Sequence, residues 1–257
     1  MKRNKQVVVI TGSTSGIGEK LCELYRAAGD DVVGIARRAT PPDIAADVTD
    51  FAQLRSAIDE AAARYGHIDT VIACAGGGLS GASELLPLEE IEKQTALNFT
   101  GALETARAAL GFMGDGGKVV FISSACALFA LPYRAMYCAS KAAINMAAFG
   151  LYMELKDKGI RVTSICPGDI KTNFTENRVK FSDGGERYGD APKISAQKID
   201  SRENKRMKLD PAARKIFKYC NKCRKPMYIV GAKYKALNFF RHLLPQKVML
   251  DLTAKLF

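Results

Sequence analysis

Val7-Val-Val-Ile-Thr-Gly-Ser-Thr-Ser-Gly-Ile-Gly18 decides the fold of this chain. A short β-branched run passes straight into a glycine-rich turn, and the helical pattern Glu19 to Ala28 follows. That order opens a βαβ unit that takes a dinucleotide at the carboxyl end of its first strand. Gly12 permits the tight turn, Gly16 lets the backbone approach a pyrophosphate, and Gly18 lets helix and strand pack closely. The N–H groups at the helix start, in Ser13, Thr14, Ser15 and Ile17 around those glycines, are expected to meet the phosphates. The spacing is G-x-x-x-G-x-G, not G-x-G-x-x-G, so the strand–turn–helix setting carries the reading.

Strand and helix patterns alternate through the rest of the chain, as a parallel sheet demands. Strands are expected near Val7–Thr11, Asp31–Ala36, Ile44–Val48, Thr70–Ala73, Lys118–Ser123, Arg161–Cys166 and Met227–Val230. Helices are expected near Gly16–Ala28, Phe51–Tyr65, Pro87–Met113, Ala135–Lys158 and Pro211–Lys222, with a last helical region over Ala236–Leu256 broken near Pro245. The link between the second and third strands, with Pro41-Pro42, is too short for a crossover helix. Residues 173–209 lack apolar periodicity and read as one long irregular stretch, either a lid or a solvated insertion.

A second constellation lies downstream. Tyr137 and Lys141, in Met136-Tyr-Cys-Ala-Ser-Lys141, share one face of a helix. A phenol titrates near ~10 and gives up its proton poorly at neutral pH. An ammonium beside it would lower that value, as a general acid requires. Ser124 precedes Tyr137 by thirteen residues, and Asn98 comes earlier still, in a helix interior where Asn is disfavoured.

On these residues the chain resembles the short-chain dehydrogenase/reductase family. Thr11 to Gly18 is similar to its glycine motif and Asp47-Val48 to its adenine-contacting pair. Ala75-Gly76 falls on its cofactor wall, and Pro167-Gly168, with Ile170 and Thr172, on its nicotinamide-side motif. Asn98, Ser124, Tyr137 and Lys141 fall where its catalytic tetrad falls. One departure is Ala73-Cys-Ala-Gly76, where the family carries Asn-Asn-Ala-Gly; Cys74 replaces an Asn that helps order the central sheet.

The resemblance implies hydride transfer between a nicotinamide and a carbonyl carbon. Tyr137 would be the acid in reduction, and Lys141 would tune it and bind the nicotinamide ribose. Ser124 would polarise the carbonyl, and Asn98 would hold a water that relays protons to Lys141. The expected fold is α/β: a three-layer αβα Rossmann arrangement with a doubly wound parallel sheet of about seven strands. A single domain is expected over residues 1–257, with the core in 1–172, a basic segment over the substrate in 173–225, and a last strand and helical extension in 226–257.

Gly34-Ile-Ala-Arg-Arg38 follows the second strand. Ala36 offers no carboxylate for the adenosine ribose, whereas Arg37, with Arg38 beside it, offers a fork for a 2′-phosphate. NADP(H) is therefore the expected cofactor. The substrate reads as a lipophilic ketone or alcohol, with Pro132-Tyr133, Phe174 and Phe181 as candidate apolar walls. A 3-oxoacyl thioester reductase and a non-catalytic NADPH-binding regulator are the alternatives, and the intact tetrad argues against the second.

Composition sets the remaining bounds. A length of 257 residues with 47% hydrophobic and 25% charged residues suits a soluble α/β protein. The basic start at residues 2–5 leads into a four-residue apolar run, read as a first strand and not a signal peptide. The seven scattered cysteines suit reduced thiols in the cytoplasm, and Cys220–Cys223, with two histidines in the whole chain, is an incidental spacing and no metal site. Residues 1–170 hold 17 basic and 19 acidic side chains, residues 171–257 hold 21 and 8. That basic third, including Lys198, Arg202, Lys205 and Arg206, is expected to favour an acidic substrate tail, an acidic carrier or an anionic membrane; no nucleic-acid motif accompanies it. The apolar faces of the helices around Asn98–Met113 and Ala135–Lys158 are wider than one buried stripe needs, which points to a homodimer or homotetramer.

Overall fold

A computed structural model describes residues 4–201 and 206–256 of the chain; Lys2, Arg3, Arg202 and Lys205 lie outside the described residues. Seven parallel strands form the central sheet: β1 Val7–Thr11, β2 Asp31–Ala36, β3 Ile44–Ala45, β4 Thr70–Ala73, β6 Lys118–Ile122, β7 Arg161–Pro167 and β9 Met227–Val230. Their order is β3-β2-β1-β4-β6-β7-β9. The chain winds outward from β1 through β2 and β3, then crosses back to β4 and winds the other way. The crevice of such a sheet opens where the winding reverses, at the carboxyl ends of β1 and β4.

The central strands β1, β4 and β6 are buried on both faces, so their side chains divide between two cores. Val9, Val33, Val71, Val119 and Phe121 meet α2 (Phe51–Tyr65), α4 (Gly101–Leu110) and α5 (Ala135–Glu154) on one side. Val8, Ile10, Val32, Ile72 and Val120 meet α1 (Gly16–Ala27) and α8 (Leu209–Lys222) on the other. Helix ends follow local chemistry. Asp50 caps α2 by accepting from Ala52 N and Gln53 N, each at 3.1 Å, and Gly66 ends it in the left-handed region.

Several expected bounds shift. β3 keeps two of its five expected residues, because the backbone N–H of Asp47 turns to Gln53 Oε1 and its carboxylate caps Thr49. The helix expected over Pro87–Met113 divides into α3 (Leu88–Thr95), a π-helical turn at Ala96–Thr100, and α4. The expected irregular stretch 173–209 has order of its own. β8 (Val179–Lys180) pairs with β5 (Leu79–Ser80) in a small parallel sheet, and α6 (Gly185–Tyr188) and α7 (Ala191–Ser201) follow. Apolar periodicity missed these elements because they are short and bury little. α9 (Ala232–Arg241) and α10 (Gln246–Leu256) close the chain on either side of Pro245.

Candidate active site

The loops leaving β1, β4, β6 and β7 surround one cleft of about 250 Å³. From β1 come Gly12, Ser15, Gly16, Ile17 and Gly18; from β4, Cys74 to Gly77; from β6, Ser123 to Cys126; from β7, Gly168 to Ile170 and Thr172. Gly12 sits at φ 72°, and a Cβ there would lie 2.9 Å from the Ala75 backbone. A Cβ on Gly18 would lie 2.2 Å from the Gly12 carbonyl oxygen. Only a bare backbone closes this turn, and it opens α1 with free N–H groups toward the cleft. A nicotinamide dinucleotide fits these residues, with its diphosphate on the α1 end. Thr11 strengthens the turn, its hydroxyl accepting from Cys74 N at 3.1 Å and Ala75 N at 3.3 Å. That tie joins the ends of β1 and β4 where Cys74 replaces the family's Asn, and burial pushes the Cys74 thiol up to about 12.

Ser124, Tyr137 and Lys141 stand together in the cleft wall. Ser124 ends the extended backbone after β6, and its hydroxyl accepts from Cys126 N at 3.1 Å, which fixes it at the rim. Tyr137 lies in the first turn of α5 and is buried. Burial pushes its phenol above the usual range; the charge of Arg134 and a hydrogen bond with Ser124 act in the opposite direction. The Lys141 ammonium donates to the Ile122 carbonyl at 3.1 Å. A second cation also stands beside the phenol: the Arg134 guanidinium lies over the Tyr137 ring, 4.8 Å from its centroid.

Other expected site residues stand off the cleft. Asn98 is fully buried in the π-helical turn. Its Oδ1 accepts from Gly77 N at 2.9 Å, and its Nδ2 donates to Gly77 O at 2.9 Å and Ser140 Oγ at 3.1 Å. These bonds shape the loop after β4. Ser13 turns against Gly34 and leaves a buried, unpartnered Oγ, while Thr14 is exposed. Asp47 caps Thr49, and Val48 packs into the core. Arg37 and Arg38 stand exposed just beyond β2.

The apolar wall also differs from expectation. Phe174 lines the cleft, its ring 5.8 Å from that of Tyr137. Pro132, Tyr133 and Phe181 are not part of that wall; Tyr133 packs edge-on to Tyr188, and Phe181 packs beside Gly81. Phe129, Leu131, Ile170 and Ile199 line it instead. Arg134, Arg178 and Arg206 enter the same wall, and sequence reading missed the first two. Arg134 precedes Tyr137 by three residues, which was the one signal available for it.

Burial lowers Lys141 to about 8 from its ordinary 10.5. Between those values the unfolded chain binds the extra proton, so this residue's penalty on folding is full below about pH 8 and is relieved toward 10.5. The stability of wild type relative to Lys141→Met should therefore rise with pH across that window. Urea unfolding of both proteins at several pH values measures the difference, and a flat or falling difference would contradict the assignment.

Comparison with known proteins agrees with this architecture. The family model described as short chain dehydrogenase matches residues 6–183. A 3-ketodihydrosphingosine reductase of Bacteroides thetaiotaomicron is 31% identical over 207 residues, 77% of each chain. A dehydrogenase/reductase SDR family protein 7-like of Drosophila melanogaster is 30% identical over 264 residues, covering 93% of this chain and 77% of its own. Among solved structures, a short-chain dehydrogenase from Streptomyces avermitilis superposes with a TM-score of 0.82 at 28% identity, over 97% of this chain and 96% of that one. With the glycine turn at the carboxyl end of β1 and the Ser124–Tyr137–Lys141 wall facing it, the chain belongs to the short-chain dehydrogenase/reductase family, whose members are oxidoreductases that use a nicotinamide cofactor.

Proposed function

We propose that this protein is an NADP(H)-dependent oxidoreductase that interconverts a ketone and a secondary alcohol on a lipophilic substrate. The observation that carries the reading is the placement of Tyr137 and Ser124 in an apolar-walled cleft continuous with the glycine turn. When bound, the nicotinamide supplies the hydride in reduction and accepts it in oxidation. Tyr137 holds the proton for the substrate oxygen, and burial keeps that proton on the phenol until an alkoxide develops. The Ser124 hydroxyl is a fixed donor beside that oxygen, placed before charge appears. Lys141 is anchored on Ile122 at the cofactor side of the wall, where its charge favours ribose hydroxyls. Phe129, Leu131, Ile170 and Phe174 exclude water and favour an apolar substrate body. A relative named as a 3-ketodihydrosphingosine reductase is consistent with a ketone substrate.

The choice of NADP(H) rests on Ala36, which leaves no carboxylate at the end of β2, and on the exposed Arg37 and Arg38 after it. Free thiols at all seven cysteines suit a reducing, cytoplasmic setting. NADPH oxidation should be followed against a panel of ketosteroids, aliphatic ketones and 3-oxoacyl thioesters. Turnover of a ketone supports the reading. Turnover confined to thioesters would replace it with an acyl reductase, and tight NADPH binding without any turnover would replace it with a cofactor-sensing role.

A homodimer or homotetramer built on α4 and α5 is part of the proposal. Met146 and Met153 on α5 are about 70% exposed, apolar surface beyond what the core uses. Light scattering at micromolar concentration should give a dimer or tetramer mass, and Met146→Glu with Met153→Glu should shift it toward monomer. A monomer mass for the wild type would reject this assembly.

A further inference from the structure

We propose that the cleft holds its substrate by an anionic group, a carboxylate or a phosphate, gripped between Arg134 and Arg178 beside the carbonyl that faces Tyr137. The inference rests on the oxidoreductase reading and specifies the substrate class for that same site.

Among the described residues, five charged side chains line the cleft: Lys141, Arg134, Arg178 and Arg206 are cationic, and Asp169 is anionic. Asp169 is already engaged, its carboxylate accepting from the Tyr234 hydroxyl at 2.5 Å. Arg134 is 7% exposed and Arg178 5%, and the Nε of each is buried with no hydrogen-bond partner. Among the described residues no carboxylate lies within ion-pairing distance of Arg134; its contact is the face of the Tyr137 ring. Arg178 gives one nitrogen to Asp200 at 3.1 Å, but Asp200 is shared with Lys180 at 2.8 Å. Burial and then the charge of Arg134 disfavour the charged form of Arg178, whereas the charged form of Arg134 is favoured by Cys126, Tyr137, Cys138 and Asp169 around it against its burial.

Buried guanidinium groups with unused donors are costly unless something else uses those donors. A planar guanidinium matches a carboxylate or phosphate with two parallel hydrogen bonds, which a lysine in the same place would not do. The position selects the substrate and not the cofactor diphosphate. Arg134 lies over Tyr137, and Arg178 packs with Phe174 against Gly78, whereas the diphosphate end is bounded by Gly16 and Thr172. Of the three acidic partners expected from the basic third, a substrate tail is the one these residues favour.

Calorimetry on NADP⁺-saturated protein tests this directly. The probes are 4-oxopentanoate and 6-oxoheptanoate against their methyl esters, and dihydroxyacetone phosphate against dihydroxyacetone. At least one anion should bind about ten-fold or more tighter than its neutral partner, and which pair shows the gap separates carboxylate from phosphate. Arg178→Met and, separately, Arg134→Gln should remove most of that gap and leave NADPH affinity within about two-fold. Equal binding of charged and neutral partners in the wild type would overturn the proposal without any variant. An equal loss of NADPH affinity in Arg178→Met would overturn it in favour of a cofactor contact. The oxidoreductase reading fails on a separate readout, the absence of NADPH oxidation with every ketone tried, so the two failures remain distinguishable.

Discussion

Tyr137→Phe should lower turnover on a verified ketone by about two to four orders of magnitude, the range for loss of a positioned general acid. NADPH affinity should stay close to wild type. The ring fills its place between Phe174 and the Arg134 guanidinium, and neither contact needs the hydroxyl. The buried phenol keeps its proton until the substrate oxygen becomes basic. Ser124 is also a hydroxyl, but its oxygen already accepts from Cys126 N and it has no buried cation stacked on it. Steady-state rates, with cofactor fluorescence titration on the same preparation, separate the two effects. Retention of most activity would show that proton delivery comes from elsewhere.

Arg37→Ala should weaken NADPH by roughly ten- to a hundred-fold and leave NADH almost unchanged. A charge-assisted hydrogen bond of about 1.5–3 kcal/mol corresponds to that loss, and only NADPH carries the phosphate that would make it. The structure sharpens the choice of residue. Arg26, which also reaches the β2 side, is held by Asp43 at 2.5 Å, and that carboxylate in turn accepts from Gly34 N at 2.7 Å. Asp43 is therefore occupied with the strand edge, and Arg37 beyond β2 stands exposed. Parallel titrations with NADPH and NADH decide the point; equal losses for both would reject Arg37 as the selector.

The partners of Lys141 and Asn98 were not legible in the sequence, for one reason. A spacing of four on a helix places Lys141 on the same face as Tyr137, and it does line the same cleft. Spacing does not say which acceptor the long side chain reaches, and the Ile122 carbonyl at the end of β6 takes the ammonium. Asn98 is comparable. Its type and place in a helix marked it as unusual, but its partners are Gly77 on another loop and Ser140 on α5. A helix position alone carries no information about either.

By itself the sequence determined the winding of the sheet and the place of the cofactor cleft. Both follow from local rules: β-branched runs buried on two faces, glycines where a Cβ would strike backbone, and crossovers of one hand. It also determined that Ser124, Tyr137 and Lys141 would share a wall, because β6 ends and α5 begins at the same edge. Tertiary structure alone decided what surrounds them. Arg134 and Arg178 come from separate segments and line one cleft, with β8, which follows Arg178, pairing with β5 in a two-residue ladder too short to leave a periodic signal. Charge counting found the basic third, but a count cannot distinguish a solvated lysine from a buried guanidinium with an unused donor. That distinction depends on burial and on the direction of each side chain, which are properties of the packed fold.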